Sequence, residues 1–426
     1  MKHAEIALTG AGVVAPLGHD LEALAAGLLE GATALKPIEH FDTTPFPCGI
    51  GARVTDFRAR DWVSNRKNLK LMSDAVRYGL AAVRRAALDA AVTAGEQVAP
   101  DRLGIFVGAG TAFGDTRDLL PALEKGVVND GEGFDTVRFG HEGVPLINPL
   151  WLLKGLSNNV LGFASAALDA QGINQNYCHS GAGGLLAIGE AAWALDEGRA
   201  DLIIAGGADN AVTPARLTGF GRLGLLLEAD EAHHMRPFDR RAQGFCPGEG
   251  AGFVALERAD HARARGAQIL AYVRGFGQGQ AAARLMSPDG AVVLRAAQRA
   301  LEVAGWSPSD VDAVATHGNG NPRFDALEAE ALATLFGDHS PPIIGDKSLQ
   351  GHTVAAAGPL SLLGLLACSA RGQLPAIAHL EDPIHGGLDF VSGTPRAAQP
   401  TRLLVHAAGL GGQTAWLAVE RAQETA

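Results

Sequence analysis

The sequence has few cysteines, few charged residues and no long uninterrupted apolar run. Its 426 residues include only four cysteines, with no Cys-x-x-Cys pair: Cys48, Cys178, Cys246 and Cys368. This number and spacing exclude a disulfide framework and a cysteine-rich zinc site. No run approaches the roughly 18 apolar residues of a membrane span, and the first residues lack the apolar core of a signal peptide. We therefore expect a cytoplasmic protein with reduced thiols and no membrane span.

Positive charge is also scarce. The chain carries 35 Lys and Arg against 46 Asp and Glu, for a net charge of −11. Nucleic acid is not expected as a partner, since affinity for phosphates comes from clustered Lys and Arg. No residues are spaced like metal ligands, and His233 with His234 is predicted to lie in a solvated loop. Neither a bound metal nor a bound cofactor is expected.

Glycine and apolar residues are abundant, and they alternate in a pattern of short strands and helices. The 55 glycines and 47% of hydrophobic residues indicate a large buried core with tight turns and close backbone contacts. Apolar runs predict strands at residues 5–9, 103–108, 201–207, 311–316 and 342–345, and helices at 69–90, 183–197, 290–305 and 355–372. The alternation predicts an α/β architecture. Gly10-Ala-Gly12 imitates a dinucleotide-binding turn, but Pro16 would block the helix that such a turn requires.

A faint internal repeat predicts two similar halves. Residues 250–258 (Gly-Ala-Gly-Phe-Val-Ala-Leu-Glu-Arg) resemble residues 412–421, where a Gly-rich stretch and an apolar strand again end in Glu-Arg. Such repetition indicates duplicated units. We place the division at residue 258, so that the N-terminal half covers residues 1–258 and the C-terminal half covers residues 259–426.

Three segments place polar residues where buried strands end, which is where α/β folds position ligands and catalytic groups. They are residues 316–322 with His317, residues 346–352 with Lys347 and His352, and residues 177–184 with Cys178 and Ser180. Lys347 is the most informative, because it is one of only seven lysines and lies between an apolar strand and an apolar helix. Charged residues in such places are rarely buried without a role.

These segments resemble the β-ketoacyl-acyl carrier protein synthase family of the thiolase superfamily. The family's His-Gly-Thr-x-Thr-Pro element matches residues 317–322, and its Lys-Ser-x-x-Gly-His element matches residues 347–352 without departure. Its Arg-Pro-x-Asp and Gly-Glu-Gly-Ala-Gly elements match residues 236–239 and 248–252, and its Gly-Phe-Gly-Gly gate loop resembles residues 409–412. The resemblance implies a thiolase-like α/β fold, in which two similar βαβαβαββ halves form a five-layered α-β-α-β-α core.

The resemblance also implies an acyltransferase that acts on thioesters carried by the phosphopantetheine arm of an acyl carrier protein. In the family a cysteine thiolate at a strand-to-helix elbow takes the acyl group, and two histidines assist decarboxylation of a malonyl group. The matching catalytic positions are His317 and His352, with Lys347. The matching substrate-binding positions are Asn319 and Asn321, which replace threonines that contact the arm, and Gly409 and Leu410, where Leu replaces the gate Phe.

The sequence departs from the family at the nucleophile. Gly172 matches the glycine nine residues before the cysteine, and Ile188-Gly189 matches the pair seven and eight residues after it. Both counts place the nucleophile at Gly181, which keeps only the backbone N–H of an oxyanion hole. Cys178 lies three residues upstream and is predicted to be a small buried residue on the other face of the strand. Ser180 is predicted to face away as well.

The missing cysteine leaves three functions open. The first is a non-elongating subunit that pairs with a cysteine-bearing synthase and shapes its acyl pocket, like the chain length factors of type II polyketide or polyene systems. The second is a malonyl-carrier-protein decarboxylase, because decarboxylation needs the histidines but no covalent nucleophile. The third is an ordinary condensing enzyme whose cysteine was replaced. The family implies a homodimer or a heterodimer with a cysteine-bearing synthase, in fatty-acid or polyketide biosynthesis.

All three functions require an acidic acyl carrier protein to bind an acidic chain, so a local basic patch is expected. The densest basic cluster comprises Arg58, Arg60, Arg66, Lys67 and Lys70. Within it, Arg66, Lys67 and Lys70 are the predicted docking residues.

Overall fold

The structure is a computed structural model, and it describes residues 4–110, 118–128, 131–228, 231, 235–282, 285 and 288–423. The strands in these ranges are β1 Ile6–Val14, β2 Leu35–Pro37, β3 Ile50–Ala52, β4 Leu103–Ala109, β5 Val127–Val128, β6 Gly133–Phe134, β7 Asn174–Tyr177, β8 Leu202–Asn210, β9 Glu249–Arg258, β10 Ala271–Gln280, β11 Ala313–Ala315, β12 Ile343–Ile344, β13 Gln373–Leu374, β14 Arg396–Ala397, β15 Arg402–Ala408 and β16 Gln413–Arg421. The helices are α1 Leu21–Glu30, α2 Asp74–Asp89, α3 Leu120–Gly126, α4 Thr136–Arg138, α5 Trp151–Lys154, α6 Asn159–Leu168, α7 Gly183–Asp196, α8 Pro214–Arg222, α9 Ala259–Ala264, α10 Gly290–Ala304, α11 Pro322–Phe336, α12 Lys347–Gln350 and α13 Ala357–Ala370. The loop predicted at His233 and His234 lies outside the described residues.

Ten strands form one hydrogen-bonded sheet that consists of two equivalent groups. The order is β12-β11-β15-β16-β10-β1-β9-β8-β4-β7, and the two groups of five join where Ile6–Leu8 pairs with Ala271–Val273. In each group two parallel pairings lie at the outer end and two antiparallel pairings lie toward the junction. The repeated sequences form β9 and β16, which occupy equivalent places. The prediction of two similar halves is therefore confirmed, whereas the boundary at residue 258 stays a prediction.

Helices complete five layers around the two strand groups. Helix α2 packs on β1, β8 and β9, and α10 packs on β10 and β16, so these helices form the two outer layers. Helices α7 and α13 contact each other and both strand groups, so they form the central layer. Helix α13 is buried along nearly its whole length, as its all-round apolar sequence predicts. In the part of the chain that the structure describes, no helix combines the length and the apolar character that crossing a membrane requires.

Gly10 and Gly12, whose spacing resembles a dinucleotide-binding turn, lie inside strand β1. Strand β1 continues through both glycines to Val14. The predicted strand, which ended at residue 9, was therefore too short. A Cβ built on Gly12 would lie 1.9 Å from the backbone oxygen of Ala82 in α2. In the second half, a Cβ on Gly277 would lie 2.0 Å from the backbone oxygen of Ala296 in α10. These glycines therefore allow each outer helix to pack directly against the backbone of its strand group.

Candidate active site

The elbow between β7 and α7 places Gly181 beside His317. A short 3-10 turn covers Ser180–Ala182 before α7 begins at Gly183. Ser180 has a φ of 49°, in the left-handed region that residues other than glycine rarely adopt. A Cβ built on Gly181 would lie 3.2 Å from Cε1 of His317. The position that the family spacing assigns to the nucleophile therefore faces a histidine.

Backbone atoms occupy the space that a side chain at position 181 would need. The Cβ built on Gly181 would lie 2.3 Å from the carbonyl oxygen of Ala408, and real Cβ contacts under 3.0 Å are essentially never seen. Ala408 is the last residue of β15 and pairs with Thr414 of β16, which limits how far its carbonyl can move. A side chain at position 181 therefore fits only if this backbone shifts.

Two buried carboxylates of helix α11 hold the loop that carries His317. Glu328 accepts hydrogen bonds from the backbone N–H of His317 and of the following glycine, both at 2.8 Å. Asp325 accepts from the backbone N–H groups of Asn319 and of the next residue, both at 3.0 Å, and from that of Phe238 at 2.9 Å. Burial raises the pKa of Asp325 to about 7. The loop therefore has a fixed conformation, since each of these N–H groups has a buried acceptor.

The second predicted segment follows β12 and brings Lys347 and His352 to the same site. Lys347 is 2% exposed, and its Nζ lies 3.1 Å from the carbonyl oxygen of Thr316 and 3.3 Å from Oδ1 of Asp346. His352 donates its backbone N–H to the carbonyl oxygen of Cys246 at 2.8 Å. Because β11 and β12 are parallel neighbours, the loops after them meet at one edge of the sheet.

His317 and His352, here called the histidine pair, lie with their ring centroids 5.3 Å apart. Both rings are buried. Burial, followed by the charge of Lys347, lowers the pKa of His352 to about 3 and the pKa of His317 well below its usual value. Each imidazole is therefore neutral near neutral pH and presents one N–H donor. Such donors stabilise an oxygen atom that gains negative charge during a reaction.

His406 is a third buried histidine of this cluster, and the sequence analysis missed it. Its ring centroid lies 6.0 Å from that of His317. Its Nδ1 lies 2.6 Å from Oε1 of Glu328, its Nε2 lies 2.8 Å from Oγ1 of Thr414, and its ring stacks on Trp416 at 4.1 Å. Glu328 therefore fixes both His406 and the backbone of His317. The available signal was a single histidine inside the apolar strand β15.

The predicted substrate-binding residues surround this cluster. The side-chain oxygen of Asn319 accepts the backbone N–H of Asn321 at 3.0 Å, and that of Asn321 accepts the backbone N–H of Arg323 at the start of α11. Gly409 lines a narrow cleft that reaches His317, and Leu410 packs on an apolar cluster. Both asparagine oxygens thus stabilise the local turn, and contact of these four residues with a phosphopantetheine arm stays a prediction.

The predicted docking residues and Cys178 lie at the surface. Arg66, Lys67 and Lys70, here called the basic surface, are exposed on a 3-10 helix that spans Arg66–Leu71, and carrier-protein docking there stays a prediction. Cys178 is exposed, so the prediction that it is buried was wrong. It follows β7, the last strand of the sheet, and no further strand of the described chain covers it.

Comparison with known proteins identifies the family. Residues 3–262 match the family described as "Beta-ketoacyl synthase, N-terminal domain", and residues 270–381 match "Beta-ketoacyl synthase, C-terminal domain". The chain belongs to the beta-ketoacyl synthase family. The 3-oxoacyl-[acyl-carrier-protein] synthase 2 of Coxiella burnetii is 31% identical over 99% of both chains. Among beta-ketoacyl synthases of known structure, the one from Burkholderia phymatum is 26% identical with a TM-score of 0.87, over 99% of this chain and 100% of the other.

A second similar structure is described by two roles of the family. The ishigamide ketosynthase/chain length factor is 27% identical, with a TM-score of 0.88 over 99% of this chain and 100% of that chain. These matches confirm the thiolase-like ketosynthase fold that the motifs predicted. The family consists of acyltransferases, and its members serve fatty-acid or type II polyketide biosynthesis.

Proposed function

We propose that this protein is a non-elongating beta-ketoacyl synthase homologue that pairs with a cysteine-bearing synthase. The observation that supports this most directly is the closed position at Gly181. An elongating enzyme needs a side chain that attacks the acyl thioester, and glycine has none. Cys178 is a poor substitute, because it is exposed beyond the end of β7. The carbonyl of Ala408 fills the space, so a nucleophile cannot be restored there without a backbone shift.

A partner surface is supported by an exposed apolar face between residues 120 and 156. This segment carries 11 of the 15 large exposed apolar side chains that are described, including Val137 and Leu152, which are each 67% exposed. Soluble proteins rarely leave so many apolar side chains clustered in water unless another protein covers them. Strand β7 is the last strand of the sheet within the described residues, and an edge strand offers backbone groups to a partner. We propose that a second subunit of the same fold covers both features.

Acyl carrier protein is the proposed substrate carrier. The curated relative from Coxiella burnetii is named as an acyl-carrier-protein synthase. The basic surface offers a local positive charge to an acidic carrier protein, although the chain as a whole is acidic. The proposed place of the thioester is beside His317, which a small cleft lined by Gly409 reaches.

Decarboxylation of a malonyl thioester is a second candidate function, and the histidine pair supports it. In this reaction the bond between the carboxyl carbon and the α-carbon breaks and carbon dioxide leaves. The electron pair forms an enolate, whose oxygen accepts hydrogen bonds from the neutral imidazoles. Protonation of the α-carbon from water then gives the acetyl thioester. No covalent nucleophile takes part, so the glycine at 181 is no obstacle.

The two functions are separated by assaying the protein alone and with a cysteine-bearing homologue from the same organism. The proposal predicts a stable complex on size exclusion, and 3-oxoacyl product only when the homologue is present. Condensation by the purified protein alone would overturn it, and Cys178→Ala would then show whether that thiol is the nucleophile. Release of carbon dioxide from malonyl carrier protein, lost in His317→Ala, would support the decarboxylase. Absence of release alone and in the complex would exclude it.

A further inference from the structure

His406 is a buried histidine that lies outside every motif of the sequence. Three histidines of the described chain are buried, and all three meet at the active site: His317, His352 and His406. Burying an imidazole is costly, because its ring nitrogens lose their contact with water. Leu404 and Ala408, which share the face of His406 on strand β15, are apolar. Packing alone therefore gives no reason for a histidine at this place in the strand.

Both ring nitrogens of His406 have partners. Nδ1 lies 2.6 Å from Oε1 of Glu328, and Nε2 lies 2.8 Å from Oγ1 of Thr414. A carboxylate accepts hydrogen bonds and does not donate them, so Nδ1 of His406 donates to Glu328 whether the ring is neutral or charged. The ring also stacks on Trp416 at 4.1 Å, with an angle of 9° between the two planes. These three contacts fix the orientation of the His406 ring.

Glu328 connects His406 to the loop that carries His317. Its Oε1 accepts from Nδ1–H of His406 and from the backbone N–H of His317. Its Oε2 accepts from the backbone N–H of Gly318. A buried acceptor that loses a donor pays the desolvation cost of that group, because water does not replace the lost bond. Without the His406 N–H, Glu328 would therefore be one donor short and would hold the His317 loop less firmly.

The imidazole of His317 depends on this loop for its orientation. Its Nδ1 is buried and has no hydrogen-bond partner among the described residues. A histidine that works through one ring nitrogen is usually oriented by a hydrogen bond at the other, often to a carboxylate or a backbone carbonyl. Glu328 binds the backbone of His317 instead of its ring. The imidazole is therefore positioned through its backbone and by contact with the rings of His352 and His406.

We propose that His406 is a positioning residue, which holds His317 in place through Glu328. A displacement of about 1 Å at a reacting group can cost roughly a hundredfold in rate, so a firmly held loop matters to enolate stabilisation. This role rests on the second candidate function, the decarboxylation of a malonyl thioester. The firmness of the loop is measured without that activity, so the proposal and the candidate function can fail separately.

Substitutions of His406 separate the roles of its two ring nitrogens. The amide nitrogen of asparagine takes the place of Nδ1, and that of glutamine takes the place of Nε2, whereas leucine retains neither donor. His406→Asn therefore keeps a donor for Glu328, but His406→Gln and His406→Leu do not. The matched control is His261→Leu in helix α9, because Nδ1 of His261 also lies 2.6 Å from a buried carboxylate, that of Glu257.

Amide hydrogen exchange measures the firmness of the loop directly. The backbone N–H groups of His317 and Gly318 should exchange at least about tenfold faster in His406→Leu and His406→Gln than in the wild type, once the unfolding free energy of each variant is taken into account. In His406→Asn and His261→Leu the corrected rates should stay within about threefold of the wild type. Unchanged exchange in His406→Leu would overturn the proposal, and so would equally fast exchange in His406→Asn.

Decarboxylation of malonyl carrier protein measures the consequence for His317. His406→Leu should lower kcat by about tenfold to a hundredfold and change KM by less than about threefold, because the change concerns the orientation of an imidazole rather than the binding of the carrier. His406→Asn should restore most of kcat, and His261→Leu should retain the wild-type kcat. Faster exchange in His406→Leu without a loss of kcat would show a merely structural role and overturn the proposal. If the wild type releases no carbon dioxide, the second candidate function fails, and the exchange rates alone decide whether His406 holds the loop.

Discussion

Substitution of Gly181 tests whether the nucleophile position is closed. The Cβ of alanine or cysteine at this position would lie 2.3 Å from the carbonyl oxygen of Ala408, which is 0.7 Å inside the 3.0 Å limit of real Cβ contacts. The obstacle is backbone at the end of a paired strand, so relief requires β15 or the elbow to shift. Overpacking of this kind costs about 1–3 kcal/mol. We expect Gly181→Ala to lower the unfolding free energy by that amount, measured by urea denaturation.

Gly162→Ala is the matched control. Gly162 lies within helix α6, and a Cβ built on it would meet nothing within 4 Å. Alanine there is expected to stabilise the helix by about 0.5–1 kcal/mol. Gly181→Cys should be destabilised like Gly181→Ala and should gain no condensing activity. Unchanged stability of Gly181→Ala, or efficient condensation by Gly181→Cys, would refute the reasoning and favour an ordinary condensing enzyme that lost its cysteine.

Three more expectations concern the buried lysine, the histidine pair and the basic surface. Lys347→Met removes the cation beside the buried Asp346 carboxylate and should cost about 3–5 kcal/mol of unfolding free energy. Adding Asp346→Asn to this variant should restore a large part of that loss. The rate of decarboxylation should stay constant as the pH falls from about 8 to 5.5, because the pKa of His352 is lowered to about 3 and that of His317 lies well below its ordinary value of about 6.5. A fall with a midpoint near 6.5 would mean that the pair titrates normally. The double variant Lys67→Glu, Lys70→Glu should weaken carrier-protein binding, and the loss should be greatest at low salt. Surface plasmon resonance measures this affinity. The control Lys36→Glu, which changes another exposed lysine, should bind like the wild type.

Much of the fold could be predicted because its signals are local. Apolar runs marked β4, β8 and the core helices, and the repeated Glu-Arg ending marked β9 and β16 as equivalent strands. The errors concern the lengths of strands, which depend on tertiary packing. The glycines in β1 resembled a turn, but they continue the strand, because helix α2 approaches their backbone too closely for a side chain. Strand β12 has only two residues, since pairing with β11 ends at Ile344.

The site was partly predictable, because some of its residues belong to local sequence motifs. His317, Lys347 and His352 occur in motifs with fixed spacing, and the structure brings all three together. His406 has no motif, and its place in the site depends on the fold bringing β15 next to helix α11. Cys178 was predicted to be buried because cysteine usually is, but an edge strand leaves it exposed. The lack of room for a Cβ at position 181 could not be predicted either, because it is due to the backbone of Ala408, which is distant in sequence.

The two-half architecture explains how one part of this site can change while the other persists. The elbow with Gly181 follows β7, and the loop with His352 follows β12, and these strands occupy equivalent edge positions in the two groups. Each half thus contributes one edge loop to the same site, on a separate scaffold of parallel strands. Removing the nucleophile from the first half leaves the carboxylates of α11 in place, and these hold His317 within the second half. A family member can therefore lose acyl transfer to its own side chain and still retain a neutral, buried histidine pair. Two neutral imidazoles beside a position without a nucleophile suffice to stabilise an enolate without elongating a chain, whereas a subunit that only shapes its partner's pocket has no use for them.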